Sequence, residues 1–161
     1  MKNSLKIILL ISLFIFLNTK IFSDEQFYYE ASEIEILEKG NIIKATNNVE
    51  IVLNNNINIT ADKFFYNKKK GLLELISNIK IIDKKNEIII KTNKVYFLEN
   101  ENKFYSNSDA YFNFSNRYSG ETRSFNYSIN EKELVSENEV MVNDDQGNIF
   151  FINDFKYQIS I

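Results

Sequence analysis

The side chains best placed to do chemistry in this 161-residue chain are carboxylates. Glu33, Glu35 and Glu38 cluster near one end, and Asp144 and Asp145 stand side by side near the other. Two carboxylates held together can divide acid and base roles between them. The local pattern argues against that here, because neighbours on a strand point to opposite faces and acids in turns are solvated. The chain has no His, which removes the usual general base and the usual metal ligand. It has no Cys either, so Ser-His-Asp and Cys-His catalysis are excluded. An oxidising compartment is tolerated without being exploited. The expectation is a non-enzyme with no catalytic residue, no metal and no cofactor. Asn58-Ile59-Thr60, Asn113-Phe114-Ser115 and Asn126-Tyr127-Ser128 fit the glycosylation sequon, as chance matches in an Asn-rich chain. Lys68-Lys69-Lys70 reads as a solvated turn.

What organises the chain is a repeat. Ala31-Ser32-Glu33-Ile34 aligns with Ala61-Asp62-Lys63-Phe64, Thr92-Asn93-Lys94-Val95, Thr122-Arg123-Ser124-Phe125 and Ile152-Asn153-Asp154-Phe155. The spacings are 30, 31, 30 and 30 residues. Val49, Ile79, Ala110 and Val140 keep a second register with the same period. A fixed period of this size marks a stacked architecture. Each unit is too small to bury its own apolar face and must lean on its neighbours.

The N-terminus has the form of an export signal. Lys2 and Lys6 are the positive end, Ile7 to Leu17 is an apolar run interrupted only by Ser12, and Ile21-Phe22-Ser23 is a small-residue cleavage site. Lys20 closes the run short of the ~20 apolar residues that a membrane span needs. We therefore expect residues 1–23 to be a cleaved signal and 24–161 to be one domain, with a retained anchor as the alternative. Removing the signal takes away three Lys, leaving 16 basic against 22 acidic residues, a charge of −6. No basic patch dominates, so nucleic acid is a poor partner. At 44% apolar and 14% aromatic, the chain is not disordered.

The repeat unit is built of strands. Val49, Ile51 and Leu53 alternate with Glu50 and Val52, and Ile57, Ile59 and Ala61 alternate with Asn58 and Thr60. The same period of two runs through Ile79–Ile81, Ile88–Ile90 and Val140–Val142. Ile, Val, Phe, Tyr and Thr dominate, the residues that suit a pleated, half-buried surface. Turns rich in Asn and Asp recur in two sets. One is Glu38–Asn41, Asn67–Gly71, Glu99–Asn102 and Asn130–Glu133; the other is Asn54–Asn56, Asp83–Asn86, Asn116–Arg117 and Asp144–Gly147. The apolar face changes parity between Ala61 and Phe64, between Thr92 and Val95, and between Thr122 and Phe125. A one-residue slip would turn every side chain over, so a bulge or corner is expected there, bending the sheet once per repeat, with a strand that simply ends there as the alternative.

The stretch Asn47-Asn48-Val49-Glu50-Ile51, with Ile57-Asn58-Ile59-Thr60-Ala61-Asp62-Lys63-Phe64-Phe65-Tyr66, resembles the repeated pattern of the OstA-like family. That pattern reads G-N-V-x-I, a spacer, then I-x-A-D-x-x-x-Y. The family includes LptA and the N-terminal domain of LptD, and LptC shares its fold with weaker sequence similarity. The resemblance covers residues 27 to about 157. This chain departs from it in two ways. Asn47, Ser77 and Ser108 stand where the pattern has Gly, and only Ala61 is followed by Asp. The ending, Asn143 to Asn148 with Phe155-Lys156-Tyr157, resembles an LptD N-terminal domain, which makes a fragment of a longer LptD-type protein one expectation.

The resemblance implies an all-β fold: antiparallel strands in a V-shaped β-jellyroll, open at both ends. It implies lipopolysaccharide transport in the periplasm, with outer-membrane association. Acyl chains would lie in an apolar groove lined by Val49, Ile51, Ile57, Ile59, Phe64, Tyr66, Leu75, Ile79, Ile81, Ile88, Ile90, Phe97 and Phe112. It also implies head-to-tail pairing with other Lpt jellyrolls. The residues themselves keep the bland reading open, because an inward apolar ladder is more often simply core. Phe125 and Tyr127 are as ambiguous as the rest. Two further readings stand beside this one: a structural β-solenoid or adhesin with a closed core, and a piece of an outer-membrane barrel. Charges such as Lys80, Lys91 and Glu139 in mid-strand oppose the barrel.

Overall fold

The computed structural model describes residues 27–54 and 56–159. The expected signal over 1–23 lies outside them. The strands are β1 (Phe27–Glu30), β2 (Glu33–Leu37), β3 (Ile42–Leu53), β4 (Ile57–Asn67), β5 (Leu72–Asp83), β6 (Ile88–Leu98), β7 (Lys103–Ser106), β8 (Ala110–Phe114), β9 (Tyr118–Thr122), β10 (Phe125–Ser128), β11 (Glu133–Ser136), β12 (Val140–Asp144), β13 (Ile149–Ile152) and β14 (Phe155–Gln158). All pair antiparallel in one sheet of 14 strands.

The long strands β3 to β6 each cross a corner at mid-length. After β6 each crossing is split into two short strands, so β7 and β8 together repeat what β5 does alone. The sheet therefore has two wings. One runs β1, β3, β4, β5, β6, β8, β9, β12, β13; the other runs β2, β3, β4, β5, β6, β7, β10, β11, β14. Both turn sets fall where the sequence places them, one set at the tip of each wing. The repeat of thirty residues is one pair of crossings with its two tips.

The corner line is made in two ways. On alternate crossings, buried residues step by three, as in Ala61 to Phe64, Thr92 to Val95 and Thr122 to Phe125. These are the expected parity changes, and the ladder shifts register between Thr60 and Lys63. On the crossings between them the step is four: Ala45 to Val49, Leu75 to Ile79, Ser106 to Ala110, Ser136 to Val140. In β3 and β5 the extra length is taken up by pairs of left-handed residues. These are Asn47 and Asn48 (φ 64° and 53°) and Ser77 and Asn78 (φ 64° and 51°).

Side chains then bind the corner crosswise. Asn78 Nδ2 donates to Asp62 Oδ2 at 2.7 Å, which gives the Ala61-Asp62 dipeptide its role as a corner staple. Asn48 Nδ2 donates to Ser32 Oγ at 3.0 Å. Further along, Ser/Thr hydroxyls take over. Thr122 and Ser136 share a 2.7 Å bond, and Thr92 Oγ1 donates to the Asp109 carbonyl at 2.9 Å.

A left-handed φ is cheap for Asn and dearer for Ser. Replacing Ser77 by Gly should therefore stabilise the fold by about 0.5–1 kcal/mol, the gain being trimmed by the greater freedom of Gly in the unfolded chain. Urea unfolding followed by circular dichroism measures it. A midpoint that falls in Ser77→Gly would show that the corner does not need this conformation.

Candidate functional site

Alternation sends one set of side chains from each wing into the space between them. All thirteen residues expected to line a groove lie there. Nine come from the first wing (Val49, Ile51, Ile57, Ile59, Ile79, Ile81, Ile88, Ile90, Phe112) and four from the second (Phe64, Tyr66, Leu75, Phe97), all in one apolar cluster. Each is buried, from 0% exposed at Leu75 to 7% at Tyr66. The side chains of the two wings fill the interior against each other. Phe27 meets Tyr66 edge-on at 4.9 Å, and Phe114 stacks on Tyr157 at 3.8 Å.

The same cluster extends past the expected set. Val95, Phe104, Phe114, Phe125, Tyr127, Leu134, Val140 and Phe155 belong to it. Their alternation was readable, but all except Val95, which is on the long β6, lie on strands of four or five residues that give a weaker signal.

The two ends differ from the middle. Ile34 and Ile36 pair with Ala45 and Ile43 and so share the inner face, yet they are 47% and 62% exposed. At the other end, Phe150 and Ile152 sit opposite Val142 and Val140, and they too are uncovered. Ile149 and Phe151 on the same strand are exposed on the outer face. The apolar interior therefore emerges at both edges of the sheet.

Among the described residues charged side chains lie on the outside, with one exception; the other buried polar side chains are the corner hydroxyls of Thr92, Ser106, Thr122 and Ser136. Lys44 with Glu35, Lys94 with Glu74 and Lys156 with Glu133 are cross-strand ion pairs at 3.4, 2.8 and 2.5 Å. The Glu74 carboxylate, then the Tyr96 hydroxyl, hold the Lys94 ammonium above its ordinary range. Of the carboxylates that opened the sequence reading, Glu33, Glu38 and Asp144 are bonded to neighbouring hydroxyl and amide groups, and Glu35 to Lys44. Glu33 accepts from Thr46, Glu38 from Asn41 and Asp144 from Asn148. The Asn148 side chain holds Asp144 below the usual carboxylate range. Among the described residues no group of three His, Cys, Asp or Glu is placed to hold a metal.

The exception is Asp83, 2% exposed at the tip of β5. Its Oδ1 accepts from the amides of Lys85 and Asn86 at 3.0 Å each. Its Oδ2 accepts from Asn86 Nδ2 at 2.8 Å and from the Tyr127 hydroxyl at 2.5 Å. Tyr127 is on the other wing. Burial first, and the Asp83 carboxylate second, push its phenol well above the usual range.

No protein-family model matches the chain, and no curated protein matches it in sequence. Its structure does have a match. The crystal structure of LptH from Pseudomonas aeruginosa, the LptA-homologous periplasmic component of the lipopolysaccharide transport device, superposes with a TM-score of 0.56. The alignment covers 80% of this chain and 95% of LptH, at 10% identity. The fold is the OstA-like β-jellyroll. The likeness is one of fold, at an identity that fixes nothing about individual side chains. Among the described residues no helix is long and apolar enough to cross a membrane.

Proposed function

We propose that this chain is an Lpt-type protein of the periplasm that carries lipopolysaccharide, holding acyl chains between its wings and docking to neighbouring Lpt jellyrolls through its end strands. The observation that carries this reading is the apolar inner face, which Ile34 and Ile36 carry onto the edge strand β2 and Phe150 and Ile152 onto the edge strand β13, all four uncovered. A protein that works alone has no reason to leave apolar side chains exposed at both ends of its sheet. A jellyroll of the same type on either side would cover them and extend the interior.

The direction of the strands fits such a joint. Counting β1 with β2, and each later split pair as one crossing, the described residues make nine crossings. An odd number of antiparallel crossings leaves the first and last running the same way. A second jellyroll in the same orientation then adds β13 beside β1 and β14 beside β2 as parallel strands, which is strand addition at an open edge. Charges agree. Lys156 points outward on β14, and Glu33 and Glu35 point outward on β2.

A second reading, a structural stack with a permanently sealed core, is favoured by the near-complete burial of residues such as Ile59 (1%). The test separates the two. A photo-crosslinking residue is placed at Ile59 and another at exposed Lys68, and the protein is irradiated with lipopolysaccharide. Lipid attached at Ile59 and not at Lys68 is expected. A β-folded protein with no lipid attached at Ile59 would establish the sealed core.

A further inference from the structure

Ring contacts between the wings, such as Phe112 on Phe155 at 5.4 Å, are apolar and can slide or re-form. The cluster around Asp83 is directional. Its construction is lopsided: three of the four donors to Asp83 come from the tip loop that follows it, namely the Lys85 amide, the Asn86 amide and Asn86 Nδ2. Only the Tyr127 hydroxyl comes from the opposite wing, and that hydroxyl also accepts from Asn86 Nδ2 at 3.1 Å.

A buried carboxylate stripped of its donors would be costly. Here, parting the wings leaves Asp83 with its own loop still wrapped around it, and water can take the single place that Tyr127 vacates. The two wing tips are joined by a bond that opens without orphaning a charge.

We propose that Asp83, Asn86 and Tyr127 form a latch across the side of the groove, and that acyl chains are admitted laterally, between the β5–β6 tip and β10, when it opens. The lipid half of this inference rests on the reading under Proposed function; the latch itself does not. The interior beside the latch is closed by Phe104 and Tyr127, stacked at 6.3 Å, and Tyr127 leads that pair to the tip. Losing the hydroxyl removes this directional tie while keeping the ring that packs there.

The experiment uses the full chain, which has no native Cys, with spin labels at Lys85→Cys and Glu131→Cys on the two tips. Inter-label distances are measured with and without Tyr127→Phe, and uptake of a pyrene-labelled fatty acid is timed in both. A hydrogen bond to a carboxylate predicts about a tenfold rise in the long-distance population in Tyr127→Phe, with uptake faster by a similar factor. Added fatty acid should move the unmutated tips to that same longer distance. Unchanged distances in Tyr127→Phe, with only a lower melting temperature, would reduce the cluster to a structural hydrogen bond and overturn the latch. Equal uptake rates with unchanged distances would place admission at the open ends instead. If neither protein takes up the fatty acid, the lipid reading fails while the distances still judge the latch.

Discussion

Gly120→Ala is expected to lower the melting temperature by about 10 °C, and Gly120→Val to prevent the second half of the sheet from forming. Gly120 sits on β9 between Phe112 on β8 and Val142 on β12, facing inward. A Cβ there would lie 2.3 Å from Phe112 Cζ and 2.6 Å from the Met141 carbonyl oxygen. Neither can give way cheaply. The Phe112 ring is held against Phe114 at 4.8 Å and Phe155 at 5.4 Å, so moving it disturbs contacts between both wings. The Met141 oxygen belongs to the ladder that joins β12 to its neighbours. Overpacking of a filled core costs about 1–3 kcal/mol, and a clash with backbone puts Ala at the upper end of that range. Ala is a better strand residue than Gly, which returns a fraction of a kcal/mol and does not change the sign. Thermal unfolding by circular dichroism decides it. A melting temperature within 2 °C of the unmutated protein's would mean that β9 does not approach Phe112 this closely.

How much of this was legible in the sequence follows from what alternation can carry. Ile57 to Ala61 announces its inner face because each apolar residue is followed by a polar one, and Val49 to Leu53 does so through Glu50 although Val52 blurs it. The Asn- and Asp-rich turns bound them on both sides. The corners were half legible. A three-residue step, as from Ala61 to Phe64, breaks parity and is visible. The four-residue step from Ala45 to Val49 or from Leu75 to Ile79 preserves parity, so the corner there is silent, although Asn47 and Ser77 both adopt φ 64°. The resemblance did carry a trace of it, since these are positions where the OstA-like pattern has Gly.

The latch was not legible. Asp83 reads as a turn acid and Tyr127 as one more inward aromatic, and they lie 44 residues apart. Nor could sequence separate ends from middle. Ile34 is 47% exposed and Ile59 1%, although both sit on inward positions of alternating strands. The difference comes from whether another strand follows.

Charging the C-terminal edge is expected to abolish association between jellyrolls while leaving each one folded. In the free protein Phe150 and Ile152 are 46% and 37% exposed, so Phe150→Lys with Ile152→Lys should cost the isolated fold little. In the proposed joint the same positions face the interior beside the inner residues of β1. A lysine there is buried without a partner, and the burial of two apolar side chains, each worth about 1.5–3 kcal/mol, is lost as well. Association should weaken at least about a hundredfold, read by sedimentation velocity over a range of concentrations.

The outer face supplies a sharper control. Lys156→Glu would set an acid beside Glu33 and Glu35 of the neighbour, and it would also remove the bond from Lys156 to Glu133 within its own wing. Glu35→Lys in the same chain should restore the opposite charge across the joint. It cannot repair the Glu133 contact, because β2 and β11 are at opposite ends of the second wing. Recovery of association in the double variant would therefore tie β14 to β2 of another molecule. If association survives Phe150→Lys with Ile152→Lys, the exposed inner faces are not where jellyrolls meet. Assembly would then have to use a surface other than the open edges.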